Sequence, residues 1–91
     1  MKPSELLSKP GAWCQGNDAR NAYGVDVRLL DPSAVCWCIG GAVGKCLKSD
    51  DYEDAMKIIR DAAKSKTVME WNDAPGRTQA EVVALLKSVG L

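Results

Sequence analysis

Histidine is absent from this chain of 91 residues. That removes the commonest side-chain metal ligand and the usual base for activating a catalytic cysteine or serine. Neither sign of charge is in excess, because twelve Lys and Arg balance twelve Asp and Glu. Proteins that grip nucleic acid by neutralising phosphates carry a basic surplus, so a nucleic-acid partner is not expected. A formally neutral chain self-associates more readily, which favours a protein partner or a homodimer. Long apolar runs are also missing. The longest stretch free of charged and strongly polar side chains, residues 34–44, is about half the ~20 residues needed to span a membrane. Residues 1–7 lack the apolar core of a signal peptide, and the expected setting is soluble and cytoplasmic, with no membrane partner. There is no internal repeat, no low-complexity segment and no glycine-rich phosphate loop of known spacing.

What remains is the composition of an ordinary soluble domain, 46% hydrophobic and 26% charged. The length suits a single globular domain over residues 1–91, large enough to fold without metal or disulfide. Its dominant feature is the run Ala34-Val35-Cys36-Trp37-Cys38-Ile39-Gly40-Gly41-Ala42-Val43-Gly44. Asp31-Pro32 precedes it as a helix-start signal, the carboxylate capping free amides and the proline fitting the first turn. A helix that is apolar on every face must be buried on every face, so residues 32–48 read as a central helix. Gly40, Gly41 and Gly44 leave one side of it bare for close approach of another backbone.

Ser49-Asp50-Asp51 opens a second amphipathic helix near 50–65, with Tyr52, Ala55, Met56, Ile59 and Ala63 as its apolar stripe. Thr78-Gln79-Ala80-Glu81 is a capping box for a third helix near 79–89, whose Val82, Leu85, Leu86 and Val89 share one face before Gly90 stops it. Residues 4–8 and 68–71 are each long enough for a helical turn. The alternation in Val25-Asp26-Val27-Arg28-Leu29, after a turn near Tyr23-Gly24, predicts a short N-terminal β-hairpin. The expected fold is therefore mainly α: three main helices, the central one buried, with a short hairpin before them.

Four cysteines stand at positions 14, 36, 38 and 46. In a reducing compartment disulfides are not expected, and the Cys-x₂-Cys pairs of a thiolate zinc site are missing. On a helix, Cys36 and Cys38 would point about 200° apart and could share neither a metal nor a bond. Buried, unreactive thiols are the reading, with no metal site and no cofactor assigned. No catalytic residue is assigned either, and the sequence leans away from an enzyme. The polar groups that invite a ligand are Trp71, Asn72, Asp73 and Arg77, joined by Trp13 and Gln15 in an earlier loop. Aromatic, amide, carboxylate and guanidinium groups together can stack on and hydrogen-bond a small planar nucleotide or metabolite. The same residues also serve as loop anchors and turn formers.

Trp13-Cys14-Gln15-Gly16, Asp31-Pro32 with Ala34-Val35-Cys36-Trp37-Cys38-Ile39-Gly40-Gly41, and Trp71-Asn72-Asp73-Ala74-Pro75-Gly76-Arg77-Thr78 resemble a family of small bacterial and phage proteins known only as a domain of unknown function. The resemblance implies a compact standalone domain and assigns no activity or substrate. An interaction or accessory protein leads among the functional readings. A small-ligand binder built on the Trp loops comes second, and a thiolate metal-binding protein third.

Overall fold

A computed structural model describes residues 1–91. Five helices and three strands follow in the order α1 (Pro3–Leu7), β1 (Ala19–Asn21), β2 (Asp26–Val27), β3 (Ala34–Trp37), α2 (Ile39–Cys46), α3 (Ser49–Ala63), α4 (Val68–Asn72) and α5 (Gln79–Ser88). The strands form one antiparallel sheet in the order β2-β1-β3. This is a mixed α/β domain, which overturns the mainly α expectation.

The difference lies in residues 31–38. Asp31 does cap, but it caps a turn: its Oδ1 accepts from the Ser33 amide at 2.8 Å and the Ser33 hydroxyl at 2.6 Å. The Ala34 amide closes the turn on the Asp31 carbonyl at 3.0 Å. The chain then runs as β3, with Cys36 opposite Arg20 and Trp37 opposite Ala19. A uniformly apolar run carries no period, so strand and helix cannot be told apart by pattern alone. Here pairing decides. Trp37 accepts a second neighbour on its other side, where Trp13 makes a parallel bridge. The helix begins only at Ile39, and Cys38 is its N-cap, the thiol accepting from the Gly41 amide at 3.3 Å.

The remaining elements follow their local sequences. The hairpin turns at residues 22–25, where the Asn21 side chain accepts from the amides of Tyr23 and Val25 at 2.9 and 3.1 Å. Helix α3 ends in a left-handed Lys64. Helix α5 starts with the predicted capping box, the Thr78 hydroxyl accepting from the Glu81 amide and the Glu81 carboxylate from the Thr78 amide. Gln79 ties α5 to the end of α1, donating to the carbonyls of Leu7 and Lys9 at 2.7 Å each. Ser4 of α1 reaches the last carbonyl of the chain at 3.0 Å. The core lies between α2 and the layer formed by α1, α3 and α5: Leu7, Ile39, Val43, Ile59, Val82 and Leu86 are fully buried. Trp37 and Ala19 extend that core onto the inner face of the sheet. No helix is long and apolar enough to cross a membrane.

Of the three glycines expected to admit another backbone, only Gly41 does so, while Gly40 and Gly44 face side chains. A Cβ on Gly41 would overlap the Asp18 carbonyl oxygen, which lies just ahead of β1. Gly40 differs: its nearest neighbour is the Met56 methyl at 3.5 Å, an ordinary contact. Gly41→Ala should therefore cost about 1–3 kcal/mol, because backbone must shift. Gly40→Ala should leave stability unchanged or raise it by up to about 1 kcal/mol through lost unfolded-state freedom. Urea denaturation of the two variants beside wild type measures the contrast.

Acid should weaken the start of α5. The Thr78 amide and hydroxyl hold the Glu81 carboxyl below its ordinary 4.5, helped by Arg77. A carboxyl whose folded pKa is depressed stabilises above its unfolded pKa, and that stability is lost as pH falls through the folded value. Wild type should lose stability on acidification below about pH 5 more steeply than Glu81→Gln, read from melting temperatures between pH 7 and 3.

Candidate functional site

The two tryptophan-bearing loops converge, and Asn72 is where they meet. Its side chain is at the C-terminus of α4 and only 1% exposed. The Oδ1 atom accepts from the Trp13 indole at 2.8 Å and from the Ile39 amide, the first of α2, at 3.0 Å. Its Nδ2 donates to the Cys14 carbonyl at 3.2 Å and to Asp73 Oδ1 at 2.9 Å. An asparagine side chain has two acceptor and two donor positions, and all four are filled.

The neighbouring residues extend the clasp. Gln15 donates to the carbonyls of Asn72 and Ala74 at 3.0 and 3.1 Å. Asp73 Oδ1 also accepts from the Gly16 amide at 3.0 Å. Arg77 donates through Nε to the Trp71 carbonyl at 2.9 Å and through a terminal nitrogen to Glu81 at 3.0 Å. Its guanidinium lies over the Trp71 ring, 3.8 Å from the centroid. All six residues predicted to hold a ligand are thus brought to one locality. Their hydrogen-bonding groups point mostly at one another and at nearby backbone.

Three surface cavities exist, and none is lined by any of the six. One of about 450 Å³ lies between Ser8 and the Gln79–Lys87 face of α5. A second, about 410 Å³, separates α3 from the start of α4. The third, about 440 Å³, is bounded by Asp18, Arg28, Leu29 and Leu30.

The chain belongs to the DUF6197 family. That family is described as one of unknown function, and its model matches residues 4–90. No curated protein and no solved structure matches the chain.

The sequence reading missed the grouping of the thiols. A strand alternates its side chains, so Cys36 and Cys38 share the outer face of the sheet rather than pointing apart. Arg20 and Asp18 stand opposite them on that face, since the Cys38 amide bonds the Asp18 carbonyl at 3.3 Å. Cys14 is next to this pair, its amide on the Trp37 carbonyl at 3.0 Å. The signal was present in Val35-Cys36-Trp37-Cys38, where β-branched and aromatic residues favour a strand. Burial, reinforced by the neighbouring Cys36, pushes the Cys14 thiol up to about 12. Burial likewise raises Cys38 and Cys46. No three thiol or carboxylate side chains are close enough together to hold a metal ion.

Removing the clasp should be costly. Asn72→Ala strands the Trp13 indole, the Ile39 amide and the Cys14 carbonyl without partners, at about 1–3 kcal/mol for each buried group left unmet. A total loss of about 3 kcal/mol or more is expected in urea denaturation. Asn72→Asp keeps both acceptor contacts but loses both donors and places a second carboxylate beside Asp73. Its stability should therefore rise as pH falls toward 4, the reverse of the wild-type trend.

Proposed function

We propose that this protein is a non-enzymatic interaction domain that binds another protein, a second copy of itself included, through the open end of its sheet. The observation that carries this reading is the set of apolar side chains left in water on the hairpin, on the loop after β2 and on β3. Tyr23 at the hairpin tip is 90% exposed, Val25 56%, Leu30 67% and Val35 49%. Asn21 lies between two of these segments: it pairs with Ala34, the residue before Val35, and its amide donates to the Val25 carbonyl at 3.0 Å.

Val35 owes its exposure to the backbone. Arg20 opposes Cys36 while Asn21 opposes Ala34, so Val35 is the extra residue of a β-bulge. A bulge on an edge strand re-aims a side chain, and here it turns a β-branched apolar group outward. Isolated exposed apolar residues are ordinary, whereas several gathered on one end of a sheet mark an interaction surface. The formal charge balance supports the same reading, since little net repulsion opposes association. The six residues first considered for ligand binding belong in this reading to the support that holds the sheet against the helices. The resemblance to bacterial and phage proteins supports a cytoplasmic setting in such a cell.

Replacing Tyr23, Val25, Leu30 and Val35 together by serine tests the reading. The folded melting temperature should change little, because these side chains contribute little to the core. Light scattering across a hundredfold concentration series, and photo-crosslinking from position 23 in cell extract with position 60 on α3 as control, read association. Loss of a concentration-dependent dimer, or of a discrete crosslinked product, in the serine variant supports the proposal. A wild type that stays monomeric and gives no product beyond the control overturns it.

A further inference from the structure

We propose that the cavity between α3 and the start of α4 binds a sugar phosphate, with cations on its phosphoryl group and carboxylates on its hydroxyls. The cavity measures about 410 Å³. That lies within the range of about 300–1,000 Å³ usual for small-molecule sites. A reversal of the chain forms it. Left-handed Lys64 ends α3 and turns the backbone, so that Lys66 and Thr67 line the same cavity as Lys57 and Arg60.

These four side chains are donors left without acceptors. Neither Lys57 nor Lys66 is in an ion pair, and Arg60 makes only a long contact, 3.9 Å, with Asp61. Asp61 itself does not line the cavity. The Thr67 oxygen accepts from the Glu70 amide at 3.1 Å, which leaves its hydroxyl proton free to donate. Three cations and a hydroxyl thus offer bonds to a group that only accepts. A phosphate monoester is such a group, with a charge of about −1.5 to −2 near pH 7 and three terminal oxygens. Charge-assisted bonds of this kind are roughly twice as strong as neutral ones.

The rest of the lining selects what carries the phosphate. Val68, 5% exposed, and half-buried Met56 supply the apolar part, which suits the C–H face of a sugar ring. Glu53 and Asp54 also line the cavity, and neither is in an ion pair. Glu53 stands two turns from Arg60, about 10 Å along the axis of α3 at 1.5 Å per residue, with Lys57 between them. Carboxylates accept from hydroxyls and repel a second anion. An extended polyanion, such as nucleic acid or an acidic peptide, would meet them unfavourably. A neutral hydroxylated body with one phosphate satisfies both ends. None of the exposed apolar side chains of the sheet end takes part, so the assignment does not depend on what binds there.

The test titrates the isotopically labelled full-length protein with glucose 6-phosphate, ribose 5-phosphate, glucose and inorganic phosphate, and reads amide shifts. At least one sugar phosphate should give saturable shifts, confined to residues 53–60 and 66–70, at millimolar concentration or below. Inorganic phosphate should bind more weakly and glucose should give no shifts. Arg60→Gln and Lys66→Gln should each weaken the sugar phosphate about tenfold or more. Glu53→Ala should weaken it while inorganic phosphate holds or tightens. Three outcomes would each overturn the proposal: no saturable shift with either sugar phosphate, inorganic phosphate binding as tightly as the sugar phosphates, or shifts centred elsewhere in the chain. Undiminished binding in both Arg60→Gln and Lys66→Gln would overturn it too. The replaced side chains are exposed, so the variants should fold, and the wild-type titration decides the matter if one does not.

Discussion

One buried amide, that of Asn72, hydrogen-bonds parts of the chain far apart in sequence. It joins the loop after α1, the first turn of α2 and the end of α4. Each of these carries a group that water would otherwise have satisfied. The indole of Trp13 cannot enter the core without a partner for its N–H, and the first amide of α2 is unpaired by the geometry of any helix. A carboxylate there could accept but not donate, and an aliphatic side chain could do neither. The position therefore specifies register as well as adding stability. With α2 fixed to α4 on one side and to β3 on the other, the sheet has only one way to sit against the helices.

Close approach is the second constraint, and it depends on the first. Gly41 lets the backbone of Asp18 rest on α2, so the strand that follows, β1, starts in direct contact with the helix. The same register brings Ala19 into the core and leaves Arg20 on the outer face with Cys36. A larger residue at either contact would lift β1 and, with it, the bulge that turns Val35 outward. The open end of the sheet is thus a consequence of packing at its closed end.

Much of this was legible in the residues alone. The capping box at Thr78–Glu81, the stripe of α3, the stop at Gly90 and the hairpin turn before Val25 are local signals, and the chain obeys them. The backbone contact read from the bare face of α2 holds at Gly41 alone. What misled was the uncharged run from 34 to 44, which joins the end of a strand to the start of a helix without any break in polarity. Asp31-Pro32 fits a helix cap and a turn equally well, and only pairing with β1 and with Trp13 separates them. Such pairing is set by residues more than a dozen positions away. The same gap explains the six residues around Asn72. Their composition suits a ligand, but the groups they bond are backbone carbonyls and amides whose positions no residue pattern displays.

The strand assignment changes the chemistry as well as the topology. On a helix, alternate cysteines diverge and are inert companions of a core. On extended backbone, Cys36 in β3 and Cys38 just after it face one way, beside a third sulfur delivered by the Trp13 bridge and near a guanidinium held by Asp26. Of these three, that of Cys38 caps the start of α2. The hairpin between Cys14 and Cys36 is also the segment that presents Tyr23, Val25 and Leu30 to solvent.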